Sequence, residues 1–319
     1  MKKVIKVIGI LLGIVVLAVI IFVIFISVRG TGSYAVNVPD IPKVEITPER
    51  VARGEKIAAM LCRNCHYNNE TGKLTGRLMQ EAPQFGKIYP RNITHDKEVG
   101  IGNWSDAEII YFIRTGINPK SGKFIPPYMP KLLHVSDEDL RSVVAYLRSD
   151  KPEVQPDNSE FPESETSFLT KFLSLAVFSP YKYPDKEIPE PDTTNKLEWG
   201  KYLVLYQIEC FTCHSKDFKT MNIEFPEKSE GFMGGGNEMI GMDGQKVVTL
   251  NITPDEETGI GRWSEEEFIK ALKSGIVPHG PSLRNPMIPY LMLTDEEASA
   301  IYAYLRTVPK LNHKVDRNL

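Results

Sequence analysis

The pattern of apolar and polar residues separates one long apolar stretch from a series of short amphipathic ones. The apolar stretch runs from Val7 to Val28, 22 residues without a charge. As a helix it would be about 33 Å long, which is enough to cross a hydrocarbon core of about 30 Å. Three lysines precede it, whereas only Arg29 follows closely, so the positive-inside rule places the N-terminus in the cytoplasm. We predict a membrane anchor over residues 1–29.

A cleaved secretory signal peptide is the alternative for this stretch. The apolar core of a signal peptide usually spans about 7–15 residues and ends in small residues. Here the core is longer and ends in "FISVRG". We therefore expect an uncleaved anchor, and no other stretch of the sequence is long and apolar enough to span a membrane.

The short amphipathic stretches predict helices. A Ser or Thr followed three residues later by an acid is the capping-box pattern that opens a helix. The pattern occurs at Ser105, Ser136, Ser264 and Thr294. After Ser136, apolar residues follow the i, i+3, i+4, i+7 spacing of one buried helical face. Helices are also predicted over about 49–61 and 196–209, and alternating strand patterns are nearly absent.

The second half of the chain repeats the first. "NITHDKEVGIGNWSDAEIIYFIRTG" at 92–116 aligns without a gap on "NITPDEETGIGRWSEEEFIKALKSG" at 251–275, with 13 of 25 positions identical. "VSDEDLRSVVAYLRS" at 135–149 matches "LTDEEASAIYAYLRT" at 293–307. We therefore predict two copies of one small helical domain in an all-α fold.

The repeat also sets the expected domain boundaries. These are the anchor 1–29, a tether 30–47, a first domain 48–150, a Pro- and acid-rich linker 151–193, a second domain 194–310 and a tail 311–319. The linker contains one apolar island, "SFLTKFLSLAVF" at 167–178, which predicts an amphipathic helix. Such a helix packs on the protein's own domains, or it docks a partner or the membrane surface.

Composition narrows the classes of function by exclusion. A length of 319 residues fits two domains, and the 42% hydrophobic and 25% charged content is typical of a folded protein. The net charge of −3 gives no electrostatic reason to expect nucleic acid. No glycine-rich phosphate-binding motif occurs in a strand-to-helix context, so nucleotide chemistry also lacks support.

The candidate chemistry lies in two pentapeptides, "CRNCH" at 62–66 and "CFTCH" at 210–214, which contain all four cysteines. A zinc site made from two such cysteine pairs usually has them about 15–20 residues apart. Here 144 residues separate Cys65 from Cys210. A redox dithiol usually lies between a strand and a helix, a context that the pattern does not predict. Neither alternative explains the histidine that follows both pairs.

Covalent haem attachment explains all three positions of the pattern. Two thiols about one helical turn apart bind one edge of the porphyrin, and the adjacent histidine ligates the iron. We predict two covalently attached haems c, each held by two thioether bonds and one histidine. The predicted residues are Cys62, Cys65 and His66 at the first site, and Cys210, Cys213 and His214 at the second.

The repeat indicates the second axial ligand of each iron. Counted back from the matched blocks, Met129 in "PPYMP" aligns with Met287 in "NPMIP", 63 and 73 residues after the respective histidine. Met292 is the main competitor in the second half. Weaker competitors without a counterpart are Met233, Met239 and Met242, and the histidines without a matching histidine are His95, His134, His279 and His313.

A histidine and a thioether together favour electron transfer. The soft sulfur stabilises ferrous iron and raises the reduction potential relative to two histidines. With both axial positions filled by the protein, no position on the iron is free for peroxide, oxygen or a substrate.

Two further matched pairs are candidates for the haem pocket, Trp104 with Trp263 and Asn92 with Asn251. A repeated tryptophan most simply packs in a core. Beside a haem, its indole N–H could instead donate a hydrogen bond to a propionate.

These motifs together resemble a known family. The run "NIT-D-E-GIG-WS-E", followed by a glycine, a proline-flanked methionine and "AYL", is similar to the membrane-bound cytochrome c subunits of bacterial alcohol, sugar-acid and aldehyde dehydrogenase complexes. The resemblance covers roughly 48–150 and 194–310. It implies class I-like cytochrome c folds with His/Met-ligated haem c, and electron transfer from a periplasmic dehydrogenase towards the respiratory chain. Subunits of that family commonly carry three haems and many are anchored near the C-terminus, whereas this chain has two sites and an N-terminal anchor.

The expected function is therefore that of an electron carrier and not of an enzyme. We expect a single-pass protein of the bacterial inner membrane with periplasmic haem domains. Its expected partners are a periplasmic dehydrogenase or other donor, an acceptor in the respiratory chain and membrane lipid, without nucleic acid. A dihaem peroxidase is the alternative, but it needs one haem open to peroxide, which the matched methionines oppose. A haem-based sensor or assembly factor is a third hypothesis, although no output domain is recognisable.

Overall fold

The structure is a computed structural model that describes residues 2–241 and 244–316. The helices of the first half are α1 (Lys2–Arg29), α2 (Pro48–Leu61), α3 (Arg63–His66), α4 (Asp106–Thr115), α5 (Asp137–Leu147) and α6 (Phe168–Ala176). Those of the second half are α7 (Lys196–Tyr202), α8 (Cys210–His214), α9 (Glu265–Ser274) and α10 (Asp295–Leu305). Single turns of 3₁₀ helix lie at Pro83–Phe85, Pro152–Val154 and Pro226–Lys228, and a π-helix at Leu203–Gln207.

Four short strands accompany the helices in the described ranges. β1 (Gly86–Lys87) pairs antiparallel with β2 (Glu165–Thr166), and β3 (Glu238–Ile240) with β4 (Lys246–Val248). The fold is therefore mostly helical, with two small two-stranded sheets that the all-α prediction did not include.

The apolar N-terminal stretch forms one continuous helix, α1. Within the described part of the chain it is the one helix long and apolar enough to cross a membrane. Nearly all of its side chains are exposed, and Ile26 alone is buried. Length and composition suit a membrane anchor or a signal sequence equally.

The core of the first half is built where α2 crosses α5. Apolar side chains such as Ile57, Leu140 and Val144 are buried at this crossing. The helices approach so closely at Gly54 that a Cβ placed there would lie 1.8 Å from the backbone oxygen of Ser142. Only glycine allows this approach, because any side chain would separate the two backbones.

The same crossing recurs in the second half between α7 and α10. A Cβ placed on Gly200 would lie 2.0 Å from the backbone oxygen of Ala300. The helices just before α5 and α10 also match. These helices, α4 and α9, each begin in a complete capping box. Both end at a glycine in the left-handed conformation, Gly116 and Gly275, with φ of 76° and 75°.

The helix predicted over 196–209 is interrupted, in contrast to its counterpart α2. Seven residues lie between Gly54 and Cys62, but nine lie between Gly200 and Cys210. The π-helix at Leu203–Gln207 and the left-handed Glu209 (φ 55°) take up the two extra residues. Such a wider turn absorbs an insertion without ending the helix.

The segment predicted as a linker lies along the first half of the protein. Val154 is fully buried in the first core, and the backbone N–H of Asp137 donates to Ile188 O at 3.0 Å. The backbone N–H of Tyr181 donates to Thr115 O at 3.3 Å. The apolar island within this segment forms α6.

The two halves contact each other through equivalent helices. The Lys56 ammonium of α2 pairs with Glu297 of α10. At the positions that correspond in the repeat, Tyr202 of α7 donates its hydroxyl hydrogen to Asp139 of α5. Arg53 Nε, at 2.5 Å, also donates to Asp139, which is fully buried. Because its carboxylate is engaged there, the capping box predicted at Ser136 is only half formed.

Candidate functional site

The first pentapeptide lies where α2 ends and the short helix α3 begins. Cys62 caps the end of α2, and Cys65 and His66 form the last turn of α3. His66 Nδ1 lies 2.6 Å from Arg91 O. Because a carbonyl oxygen only accepts a hydrogen bond, this contact requires a proton on Nδ1 and leaves the Nε2 lone pair free to bind a metal.

The second pentapeptide has the same arrangement. Cys210, Cys213 and His214 lie on α8, and His214 Nδ1 is 2.8 Å from Leu250 O. Arg91 and Leu250 each come directly before an "NIT" sequence. Each histidine is therefore fixed in the same tautomer by the same backbone position of its own half.

Asn92 holds the loop that supplies this carbonyl in the first half. Its Nδ2 donates to Asp157 O at 2.7 Å, and its Oδ1 accepts from the backbone N–H of Thr94 at 2.9 Å. The amide oxygen of the buried side chain thus binds the loop itself, and the amide nitrogen binds residue 157 of the segment predicted as a linker. The structure places Asn92 as a residue that positions the His66 acceptor.

Asn251 has the same contacts in the second half. Its Nδ2 donates to Leu311 O at 2.7 Å, and its Oδ1 accepts from Thr253 N–H at 2.9 Å. The tail after the last helix therefore closes over this loop. The direct haem contact predicted for both asparagines stays a prediction.

Met129 and Met287 occupy equivalent turns. The backbone N–H of Met129 donates to Pro126 O at 3.2 Å, and that of Met287 donates to Arg284 O at 3.1 Å. Three residues later each loop returns to the helix that precedes it, with Leu132 N bonded to Ile113 O and Tyr290 N to Leu272 O. Both methionines are partly buried.

Apolar clusters link each methionine loop to its cysteines. Cys65 and Tyr128, the neighbour of Met129, pack on one cluster, which consists of Met79, Ala82, Phe85 and Ile88. Cys210 and Met287 both pack on the core of the second half. Each methionine loop and its pentapeptide thus border the same apolar region.

The competing ligands lie in other surroundings. Met292 is 48% exposed, and Met233 is fully buried with a positive φ of 60°. Met239 is in β3, and Met242 lies outside the described residues. His279 is exposed, and the rings of His95, His134 and His313 contact the carbonyl oxygens of Leu147, Glu224 and Gly234.

Burial affects the chemistry of the cysteines. It raises the pKa of Cys62 and of Cys210 to about 12, and it also raises the pKa of Cys65 and Cys213. The thiols are therefore protonated at neutral pH. Across residues 2–241 and 244–316, no group of three or more His, Cys, Asp or Glu side chains is arranged to hold a metal ion.

The tryptophans pack at equivalent corners of the two halves. Trp104 stacks edge-on against Phe112 with ring centroids 5.5 Å apart, and its backbone oxygen accepts from Arg148. The backbone oxygen of Trp263 accepts from the Tyr302 hydroxyl at 2.7 Å. These contacts give both residues a packing role, and their predicted haem contact stays a prediction.

One pair of residues near both sites was missed from the sequence. Lys131 and Glu209 are 3% and 5% exposed, and each lies within two residues of a predicted site residue. Desolvation lowers the pKa of Lys131 to about 7 and raises that of Glu209 to about 8. The Lys131 ammonium donates to Met129 O. Lysine and glutamate are rarely buried, so nothing in the sequence pattern indicated them.

Comparison with known proteins assigns the class of the first half. The family described as Cytochrome c matches residues 51–151. The first half is therefore similar to a cytochrome c domain, a similarity that implies covalently bound haem c.

Relatives extend the similarity to most of the chain. It is 30% identical to the fructose dehydrogenase cytochrome subunit of Gluconobacter japonicus, over 81% of this chain and 52% of that protein. It is also 30% identical to the gluconate 2-dehydrogenase cytochrome c subunit of Pantoea cypripedii, over 88% of this chain and 64% of that protein. A diheme cytochrome c-type protein of Cereibacter sphaeroides is 28% identical over 82% of this chain and 86% of its own length. The chain spans about half the length of the first of these relatives.

The residues present fit a covalently bound haem at the first site. Two protonated thiols lie one helical turn apart, and the histidine beside them has its Nε2 free and its Nδ1 fixed. The second pentapeptide offers the same donors with the same backbone support.

Proposed function

We propose that this chain is a dihaem c-type cytochrome that transfers single electrons. One observation carries the proposal: both histidines donate from Nδ1 to the residue that precedes an "NIT" loop, in each case beside a cysteine pair. In both halves this hydrogen bond leaves the histidine Nε2 free to bind a metal. The two cytochrome c domains are proposed at 48–150 and 194–310, in tandem.

Four residues would hold the first haem c. Cys62 and Cys65 would form the thioether bonds, and His66 and Met129 would be the axial ligands. When bound, haem c supplies a one-electron iron couple. The Arg91 carbonyl orients the His66 ring and makes its imidazole a better donor to the metal.

The second haem c would be held by the corresponding residues Cys210, Cys213, His214 and Met287. With a histidine and a methionine holding each iron, no position would remain for peroxide, which favours electron transfer over the peroxidase alternative. The diheme relative supports the count of two.

The contact between the halves suits electron exchange between two fixed sites. The buried Asp139 carboxylate accepts from Tyr202 and Gln207 of the second half in buried bonds, and from the half-exposed Arg53 of the first half. Glu297 adds a second link to Lys56. These polar contacts hold the two halves in one orientation and would keep the distance between the two haems constant.

The location and partners follow from α1 and from the relatives. We propose that α1 remains as an anchor in the inner membrane and that the haem domains lie in the periplasm. Relatives named as cytochrome subunits of fructose and gluconate dehydrogenases support a periplasmic dehydrogenase as electron donor. A component of the respiratory chain would be the acceptor.

The axial ligands are tested by the weak near-infrared band of methionine bound to ferric haem. We expect the oxidised wild type to show the band, and Met129→His and Met287→His each to lose about half of its intensity. Met292→Leu is the matched control and should keep the full band. Absence of the band from the wild type, or its loss in the control, would contradict the assignment. Turnover of hydrogen peroxide with a reduced cytochrome donor would instead support the peroxidase.

A further inference from the structure

Helix α6 presents its apolar face to the outside of the protein. Its exposed large apolar side chains follow the i, i+1, i+4, i+7 spacing of one helical face: Phe168, Leu169, Phe172 and Leu175, which are 37–47% exposed. The opposite face consists of Thr170 and Ser174, each 1% exposed. A helix on the surface of a water-soluble protein normally has the reverse orientation, with apolar residues towards the core.

Hydrogen bonds hold the polar face of α6 against the first half. Thr170 Oγ1 donates to Phe85 O at 3.2 Å, and the backbone N–H of Ser167 donates to the same oxygen at 2.8 Å. Strand β2, just before α6, pairs with β1 beside Phe85. The orientation of α6 is therefore fixed by bonds that a rotation of the helix would break.

The apolar face of α6 is continuous with α1. Phe172 packs edge-on against Phe22, with ring centroids 6.3 Å apart, and Arg29 Nη1 donates to Ser174 O at 3.3 Å. Phe22 lies six residues before Val28, which ends the uncharged stretch. At 1.5 Å per residue this is about 9 Å along the helix axis. Interfacial helices insert about 5–10 Å below the membrane surface, so Phe172 lies at a depth suited to one.

We propose that α6 lies in the membrane–water interface beside α1, with Phe168, Leu169, Phe172 and Leu175 in lipid. The occupant of this face is the bilayer, because α1 would place lipid around Phe22, the residue that Phe172 contacts. Arg29 lies where α1 would leave the hydrocarbon, a position that suits a cationic side chain. This proposal rests on the proposed function in one respect, the retention of α1 as a membrane anchor.

Docking through α6 would bring the first haem site to the membrane surface. Phe85, which accepts two hydrogen bonds from the start of α6, belongs to the apolar cluster on which Cys65 packs. The side of the site that contains Cys65 would then face the bilayer. The 3₁₀ turn at Pro83–Phe85 would lie between Cys65 and the lipid. The segment after α1 holds the same orientation, since the Tyr34 N–H donates to Gly122 O at 2.9 Å and the Phe124 N–H donates to Gly32 O at 3.1 Å.

The test uses the full-length haem-loaded protein in nanodiscs of phosphatidylcholine and phosphatidylglycerol. A nitroxide label is attached to Leu169→Cys, and its accessibility to oxygen and to a water-soluble nickel complex is measured by power-saturation electron paramagnetic resonance. The haems are kept reduced and low-spin so that iron does not broaden the spectrum. Leu197→Cys on α7 is the control, since Leu197 is 49% exposed and Leu169 is 47% exposed. Leu17→Cys reports on α1 itself.

We expect the ratio of oxygen to nickel accessibility at position 169 to approach that at position 17 and to exceed that at position 197 several-fold. A label at 169 that nickel reaches as freely as at 197, while position 17 is in lipid, would overturn the docking and leave the anchor intact. Protection of 169 from both reagents would show that a protein surface covers α6 and would also overturn the proposal. Exposure of position 17 to nickel would instead contradict the anchor.

Discussion

Replacement of Gly54 by alanine tests the helix crossing that supports the first pentapeptide. Two effects oppose each other. Alanine favours the helical conformation over glycine by about 1 kcal/mol. Its Cβ, however, would lie 1.8 Å from the Ser142 oxygen, far inside van der Waals contact, so α2 and α5 would have to separate.

The cost of this separation decides the sign of the effect. Overpacking a core by a single carbon typically costs about 1–3 kcal/mol. The two nearest atoms at Gly54, the carbonyl oxygen and carbon of Ser142, belong to a backbone, which cannot rotate away as a side chain does, so we expect the upper end of this range. After subtraction of the gain in helix propensity, Gly54→Ala should lower the free energy of unfolding by about 2 kcal/mol. For a domain of about 100 residues this corresponds to a fall in Tm of about 8–16 °C.

Thermal unfolding of the full-length protein in detergent, followed by far-ultraviolet circular dichroism and by the haem absorbance, measures the effect. Gly13→Ala in α1 is the matched control, because no atom lies within 4 Å of its Cβ position. It should leave the Tm unchanged or raise it, because it has the gain in helix propensity without the contact. If Gly54→Ala is as stable as the wild type or more stable, helix propensity outweighs the contact and the crossing is looser than described.

Three further substitutions test other contacts. Asp139→Ala leaves the buried donors of Tyr202 and Gln207 without their acceptor and should cost about 2–5 kcal/mol in urea denaturation, since each unsatisfied buried donor costs about 1–3 kcal/mol. An unchanged midpoint would contradict the interface. The hydrogen bond from Arg50 holds the pKa of Glu138 below its ordinary value of 4.5, so this pair stabilises the fold above that pH and ceases to do so as the pH falls through the lowered pKa. Glu138→Gln should accordingly reduce the loss of Tm on acidification, and a pH profile identical to that of the wild type would refute this. Ser264→Ala removes the N-cap of α9 and should lower the free energy of unfolding by about 1 kcal/mol in the same urea assay. An unchanged midpoint would contradict the role of this cap.

The features that could be predicted from the sequence are local ones. The capping boxes at Ser105, Ser264 and Thr294 formed as predicted, because the residues that make them lie within one helical turn. The box at Ser136 is only half formed, because the Asp139 carboxylate binds a residue outside its own segment. Asp139 is bound by Tyr202, which is 63 residues away in the chain.

Other features depend on three-dimensional context that a single sequence does not contain. The apolar pattern of 167–178 correctly predicted a helix, but the pattern alone could not indicate whether its apolar face lies inside or outside. The groups that orient His66 and His214 are backbone carbonyls, which every residue possesses, so no side chain marks them. The burial of Lys131 and Glu209 likewise depends on the folded structure, since both residue types are usually exposed.

The central claim is that one chain holds two covalently bound haems, one in each half. The mass of the intact denatured chain tests it most directly, since thioether bonds survive denaturation. The proposed function predicts a mass increased by two haems. It also predicts one haem for Cys62→Ala/Cys65→Ala and one for Cys210→Ala/Cys213→Ala. A wild-type mass with a single haem, or with none, would contradict the claim.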